Sequence, residues 1–239
     1  MPRIPLIEEL TTGSVLPGSV LLAEFTGVSQ WYNASFTIAA GWLKSGGLVT
    51  YVAFGRSPEN ARLQLGRLGL KAEELESEGR LRIVDCYTCT LGRKSKEKIS
   101  VDSLKAADLS ILFSKTSMVG KLGTGEPVRQ GMLEIEDNAS TVFRFNDEKA
   151  VTEFVLSRFI PSMSLAKTNA LVGIVKGLHS SWVYEQLEAA VDGTIEFVLD
   201  ETADPPGNLV RIRSLRDVGF DGQWHRLKIS DNFQVTLEK

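Results

Sequence analysis

Short apolar runs alternate with amphipathic helical patterns along nearly the whole chain. Runs rich in β-branched, aromatic or small residues predict six strands: Ser19–Ala23, Leu48–Phe54, Leu81–Asp85, Met132–Ile135, Ala170–Val175 and Thr194–Leu199. Apolar residues at helical spacing predict helices between them: Ala34–Lys44, Ser57–Gly69, Val101–Ser114, Asp147–Met163 and Val183–Ala190. Because parallel strands need crossover helices, this alternation predicts an α/β fold, with a mostly parallel central sheet covered by helices on both faces.

The C-terminal part breaks this alternation. Leu209–Ile212 and Phe233–Leu237 predict an antiparallel hairpin or edge pair that closes the sheet. The composition does not change abruptly anywhere, and no internal repeat is visible, so we expect one domain over residues 1–239.

Charge and cysteine content narrow the function classes. The net charge is −3, which is not the electrostatic footprint of a general nucleic-acid binder. Two cysteines exclude a secreted scaffold built on several disulfides. We see no signal peptide and no membrane span, and we expect a cytoplasmic protein. Basic residues gather near the C-terminus, on a face that contacts either solvent or an acidic partner: Arg211, Arg213, Arg216, Arg226 and Lys228.

Five segments, in this order and spacing, carry a family resemblance: Gly13–Leu22, Leu43–Arg62, Leu81–Thr88, Ala189–Phe197 and Val210–Val235. The most specific is Ala-Ala-Val-Asp-Gly-Thr-Ile-Glu-Phe, which ends at Phe197 and resembles the family's x-x-A-D-G-V-I-x-L. Together they resemble the KaiC-like branch of the RecA superfamily of P-loop ATPases, over nearly the whole chain. The resemblance implies a RecA-like three-layer sandwich with ATP bound between subunits.

The phosphate-binding loop does not follow the family pattern G-x-x-x-x-G-K-[ST]. The corresponding stretch consists of Glu24, Phe25, Thr26, Gly27, Val28, Ser29, Gln30 and Trp31. Only Gly27 is retained: Gln30 stands at the lysine position, Trp31 at the Mg²⁺-binding hydroxyl, and Glu24 adds a negative charge to the stretch. Losing an ammonium about 4 Å from a phosphate forfeits roughly 4 kcal/mol at an effective dielectric of 20, close to a thousandfold in affinity.

Two further elements of the family's active site depart from its pattern. The resemblance places two carboxylates after the second strand, where they activate the attacking water, but Gly55 and Arg56 stand there. The family's Lys-x-Arg, which reaches a neighbour's nucleotide, is reduced to Ser214 and Arg216. A Walker B acid has a candidate in Asp137.

Together these departures predict a pseudo-ATPase without effective ATP hydrolysis, acting as a regulatory or protein-interaction module. We expect no cofactor and no metal, a protein partner or a second copy of the chain, no membrane, and no nucleic acid. Two alternatives stay open. One is a divergent but active KaiC-like ATPase that uses Asp137, ATP and Mg²⁺; the other is a RecA paralogue associated with DNA through the C-terminal arginines.

Three other residues could carry chemistry. Cys86 and Cys89 form a Cys-x-x-Cys, which is either redox-active, half of a zinc site, or a pair of buried thiols at a sheet edge, and we favour the last. His179 follows a predicted strand, where it either lines a remnant nucleotide site or is a solvated loop residue, which we favour.

Overall fold

The computed structural model describes residues 4–105, 108, 109, 111 and 131–238. Within these residues, nine strands form one sheet in the order β3-β2-β4-β5-β1-β6-β7-β8-β9. The strands are β1 (Val20–Phe25), β2 (Leu48–Ala53), β3 (Leu81–Asp85), β4 (Met132–Glu136), β5 (Asn169–Val175), β6 (Gly193–Asp200), β7 (Gly207–Leu215), β8 (His225–Ile229) and β9 (Val235–Leu237). Each predicted parallel strand is present, within two residues at either end.

The sheet is parallel from β3 to β6 and antiparallel from β6 to β9. β1 lies at the centre, between β5 and β6, and all six of its residues are buried. The predicted α/β class, with a mostly parallel central sheet and a C-terminal antiparallel edge, is confirmed.

Helices cover both faces of the sheet. They are α1 (Trp31–Lys44), α2 (Pro58–Arg67), α3 (Ala72–Ser77), α4 (Ser140–Phe143), α5 (Glu148–Phe154), α6 (Ile160–Ala166) and α7 (Ser181–Ala190). α1, α2 and α3 contribute to one apolar core, and α4 to α7 contribute to a second core on the opposite face. Of the helices in the described part of the chain, none combines the length and the apolar character needed to cross a membrane.

Local signals explain several helix boundaries. The Ser57 hydroxyl accepts from the amide of Asn60 at 3.3 Å, and Pro58 stands at the first helical position, so α2 begins as the sequence predicts. The predicted helix Asp147–Met163 is observed as α5, a π-helical turn (Val155–Phe159) and α6. The turn precedes Pro161, which has no N–H to continue the ordinary ladder.

Two predictions at irregular positions were wrong. Leu209–Ile212 and Phe233–Leu237 do not pair, because β8 lies between the strands that contain them. β8 fully buries only Leu227, and its one other apolar residue is the half-buried Ile229, so the apolar alternation is too short to predict a strand. The predicted helix Val101–Ser114 does not begin at Val101, since residues 101–105 are not helical. The Val101 amide instead donates to the main-chain carbonyl of Asp85, the last residue of β3. Most of the remainder lies outside the described residues.

Candidate functional site

The sequence-predicted site gathers at the carboxyl ends of β1, β2 and β4. In open α/β sheets, this edge is where ligands bind. The loop 26–30 follows β1, Gly55 follows β2, and Asp137 follows β4 directly. The structure therefore brings together the stretch predicted to be a degenerate P-loop, the Gly55–Arg56 pair and the Walker B candidate.

The loop after β1 is short and is held by its own side chains. The Ser29 hydroxyl donates to the main-chain carbonyl of Thr26 at 2.7 Å, and the side-chain Oε1 of Gln30 accepts from the side-chain Nδ2 of Asn33 at 2.6 Å. Gly27 and Val28 are exposed. Gln30 thus offers a neutral amide, already bound to α1, where a P-loop offers an ammonium group.

Trp31 fills the space beneath this loop. Its side chain is fully buried, and its indole N–H donates to the main-chain carbonyl of Asp137 at 2.6 Å. The ring stacks on Phe25 with centroids 5.8 Å apart and contacts Phe197 at 5.2 Å. It also lies on Gly173 of β5, where an added Cβ would stand 2.6 Å from the indole nitrogen. The first residue of α1 is therefore an aromatic plug between β1, β4, β5 and β6.

Tyr32 occupies the neighbouring position over the end of β2. A Cβ added at Gly55 would overlap the Tyr32 hydroxyl, so only glycine fits there without movement. The Arg56 guanidinium stacks over the Tyr32 ring, 4.6 Å from its centroid, and the Asn138 amide donates to the Tyr32 hydroxyl at 3.2 Å. The structure thus gives a steric reason why position 55 carries no acidic side chain. Nothing local in the sequence indicated this contact.

Asp137 is fully buried and ties β4 to β2. Its Oδ1 accepts from the amides of Phe54 and Gly55 at 2.8 and 2.9 Å, while its Oδ2 has no hydrogen-bond partner within the described residues. Burial raises the pKa of Asp137 to about 7; its hydrogen bonds to Gly55 and Phe54 and the charge of Arg56 partly offset that rise. One carboxylate oxygen is therefore committed to the backbone.

The residues present do not fit Mg²⁺-ATP. At the position that the resemblance assigns to the hydroxyl ligand of Mg²⁺, the side chain is a buried indole, which has no oxygen to offer a metal ion and whose N–H is bound to the Asp137 carbonyl. Gln30 supplies no charge to the phosphates, and a carboxylate at position 55 that could accept a proton from water would require Tyr32 to move.

Glu24 takes part in a different cluster. It alternates with Phe25 along β1, so its side chain points to the opposite sheet face from the aromatic plug. There Arg213 lies 3.5 Å from its Oε1 and also pairs with Glu188. Burial, and next a hydrogen bond to Glu188, raise the pKa of Glu24 to about 7, against the charge of Arg213.

Glu196 on β6 extends this network, in a role that no local feature of the sequence indicates. Its side chain is buried and paired with Lys176 and Arg211, whose guanidinium also stacks over Trp224 at 4.3 Å. Burial acts to raise the pKa of Glu196, but the hydrogen bonds from Lys176 and Arg211 outweigh it and hold the pKa below its usual range. Two of the five C-terminal basic residues are therefore engaged with buried carboxylates.

Ser214 and Arg216 lie at the opposite edge of the sheet. Ser214 pairs with Thr194 at the beginning of β6, because β7 is antiparallel to β6. Arg216 donates to the carbonyl of Ala189 at 2.5 Å. Within one chain, these residues cannot reach the loop after β1.

Cys86 and Cys89 are free thiols beside the end of β3. Cys86 is buried, and the Cys89 thiol donates to its carbonyl at 3.3 Å. Burial raises the pKa of both thiols, which disfavours the reactive thiolate. Across the described residues, no three His, Cys, Asp or Glu side chains gather as a metal site. These observations favour the interpretation that Cys86 and Cys89 are structural thiols rather than a redox pair or half of a zinc site.

His179 is not solvated. Its side chain is 5% exposed, packs on Phe143 with centroids 4.4 Å apart, and its Nε2 lies 2.8 Å from the Ser140 hydroxyl. Its Nδ1 lies 3.5 Å from Glu148. Because Ser140 is buried and its hydroxyl also accepts from the Val175 amide, the cluster fastens α4 to the end of β5.

Comparisons with known proteins place the fold. A scan against protein-family models finds no match, and a search of curated proteins finds no significant relative. Among solved structures, a KaiC-like protein from the hyperthermophilic archaeon Pyrococcus horikoshii superposes with a TM-score of 0.74 at 14% identity, covering 99% of this chain and 98% of that one. The chain therefore has the RecA-like α/β fold of that KaiC-like protein.

Proposed function

We propose that this chain is a pseudo-ATPase: a single RecA-like domain that does not hydrolyse ATP effectively and acts as a regulatory or protein-interaction module. The observation that carries the proposal is the position of Trp31. Its side chain is buried and bound to the Asp137 carbonyl, and it stands at the position that the resemblance to P-loop ATPases assigns to the hydroxyl ligand of Mg²⁺.

Two independent features support the loss of hydrolysis. Activation of water needs a proton acceptor near the attacked phosphate, and the steric limit at Gly55 disfavours one. Arg56 beside it is a cation stacked on Tyr32. Refilling the phosphate loop alone would therefore not restore the reaction.

The proposed role is binding to another protein, because the chain keeps the RecA-like fold while the residues expected to bind and hydrolyse ATP are replaced. We propose a cytoplasmic protein that binds a partner protein or a second copy of itself. Nucleic acid is disfavoured as the partner, since Arg211 and Arg213 of the basic cluster are engaged with Glu196, Glu188 and Glu24.

Calorimetric and thermal-shift titrations with ATP and Mg²⁺ test the first part. We expect no binding up to millimolar nucleotide. A micromolar dissociation constant for the wild-type chain would overturn the proposal in favour of a divergent ATPase, whose hydrolysis should then be lost in Asp137→Asn.

A gain-of-function variant tests the steric argument. The double substitution Gln30→Lys and Trp31→Thr removes the plug and restores the charge and the hydroxyl. We expect it to gain measurable Mg²⁺-ATP binding but no hydrolysis. Trp42→Thr is the matched control, because Trp42 is equally buried on α1 but lies a helix length away, and this variant should lose stability without gaining affinity. Hydrolysis by the double variant would show that Gly55 and Arg56 do not limit the reaction.

Capture from native lysate, followed by reconstitution with the purified partner, tests the interaction role. Retention on single-stranded DNA that weakens with salt would instead support the RecA-paralogue alternative.

A further inference from the structure

A cavity of about 60 Å³ lies on the sheet face opposite α1. Its floor comes from β1 and β5, including Leu22 and Val172, and its walls come from α4, α5, the π-helical turn after α5, and α7. Apart from Glu136, its described lining residues are apolar. It is separate from the plug at Trp31, which belongs to the other face of the sheet.

The π-helical turn shapes one wall of this cavity. The amide of Ile160 donates to the carbonyl of Val155, five residues back, and the widened turn presents Val155 and Phe159 to the cavity. Empty apolar space destabilises a core because the lining atoms lose packing partners. π-helical turns occur frequently at functional sites, so a cavity beneath one is a candidate binding site.

Glu136 is the ionisable group in this lining. It is the last residue of β4, and it lies between Val52 of β2 and Val172 of β5 in the register of the sheet. Burial, and next the charges of Glu134 and Asp137, raise the pKa of Glu136 to about 8. The carboxyl group therefore keeps its proton at neutral pH and can donate a hydrogen bond.

We propose that this cavity binds a small, uncharged, mostly aliphatic molecule that carries one hydrogen-bond-accepting oxygen, to which the Glu136 carboxyl donates. The apolar walls select the aliphatic body, and the single polar group orients it. At 10–15 Å³ for each water-sized unit, the cavity volume corresponds to about four to six heavy atoms. The proposal does not depend on the state of the phosphate loop.

Two isosteric probes separate the apolar and polar contributions. 2-Butanone carries a carbonyl oxygen, and 2-methyl-1-butene replaces that oxygen with a methylene group. Ligand-detected NMR titration should show that both bind the wild-type chain. The ratio of the butanone affinity to the alkene affinity should be kept in Glu136→Gln, which keeps a donor, and should fall about fivefold in Glu136→Met, which does not, the change expected for one net hydrogen bond.

A variant that fills the cavity tests whether the two probes bind inside it. Val155→Trp should abolish binding of both, whereas Leu165→Trp, at an exposed site on the adjoining α6, should leave both unchanged. If circular dichroism shows that Val155→Trp does not fold, Ala139→Leu fills the cavity from the residue before α4 instead. The proposal is overturned if neither probe binds the wild-type chain, if a folded filling variant binds them equally well, or if the ratio of the two affinities is the same in Glu136→Met as in wild type.

Discussion

The indole N–H of Trp31 donates to the main-chain carbonyl of Asp137 at 2.6 Å and so joins the first residue of α1 to the end of β4. We expect Trp31→Phe, which keeps an aromatic ring but leaves that buried carbonyl unsatisfied, to cost about 1–3 kcal/mol of unfolding free energy. Trp31→Ala, which also empties the cavity around Phe25 and Phe197, should cost about 3–5 kcal/mol. Urea denaturation measures both, and an alanine variant within 1 kcal/mol of wild type would contradict the packing described here.

The fit of Gly55 against Tyr32 predicts a coupled pair. Gly55→Ala should destabilise the chain by about 1–3 kcal/mol, because the new methyl group overlaps the Tyr32 hydroxyl. In the background of Tyr32→Phe, the same substitution should cost less. A double-mutant cycle by urea denaturation gives the coupling energy, and additive effects of the two changes would rule out the overlap. Gly66→Ala, at a site with open space inside α2, is the control and should not destabilise.

The buried carboxylate of Glu196 is stabilised by its basic neighbours, Lys176 and Arg211. Arg211→Met leaves this buried carboxylate with fewer partners and should cost on the order of 2 kcal/mol at pH 7, less than the 3–5 kcal/mol of a fully buried pair because Lys176 still binds it. The folded pKa of Glu196 lies below its usual value, so the wild-type pair stabilises above that usual value and the gain is lost as the pH falls through the folded pKa.

The loss caused by Arg211→Met should therefore shrink on acidification. Unfolding measured at pH 7 and at pH 4 tests this, with the exposed Lys228→Met as a control that changes stability by less than about 0.5 kcal/mol. An equal loss at both pH values would mean that Arg211 acts through packing on Trp224 rather than through charge.

The buried carboxyl group of Asp137 should make the unfolding free energy depend on pH with the opposite sign to that of Glu196. Its pKa rises from 3.8 to about 7 on folding, so between these values the native state holds a proton that the unfolded state releases. Its contribution to stability is complete below pH 4 and is lost as the pH rises towards 7. Relative to wild type, Asp137→Asn should remove a slope of up to about 1.4 kcal/mol per pH unit between pH 5 and 7.

Taking the difference between variants isolates Asp137, because Glu24 and His179 also titrate in or near this range. The exposed Asp231→Asn should leave the slope of wild type unchanged. A slope that is the same in Asp137→Asn and wild type would show that Asp137 is already ionised in the folded chain at pH 5.

The parallel part of the sheet could be predicted because each strand is a local signal. Leu48–Ala53 is wholly buried, so its sequence is apolar or β-branched throughout, and Ser57 with Pro58 marks the next helix. β8 was missed because its five residues hold only two apolar side chains, Leu227 and Ile229, between charged neighbours. An edge strand is defined by its partner more than by its own residues.

At the candidate site, the sequence indicated which groups a P-loop lacks but not what replaces them. Gln30 and Trp31 stand out against the motif, whereas the contacts of Trp31 with Gly173 and of Tyr32 with Gly55 join residues far apart in the chain. The same limit applies to Glu196, which is one more acidic residue in the sequence and becomes the centre of an ion-pair network only when β6 meets β7.

The ring of Trp31 lies flat on Gly173, where even a methyl group would stand 2.6 Å from the indole nitrogen and 2.8 Å from the Asp137 carbonyl. Gly173 cannot gain a side chain while Trp31 keeps its ring, so a larger residue at 173 demands a smaller one at 31. Among chains descended from a common ancestor, positions 31 and 173 should therefore covary. Tryptophan at 31 together with glycine at 173 would identify, from sequence alone, other chains in which a buried indole packs at the end of β1.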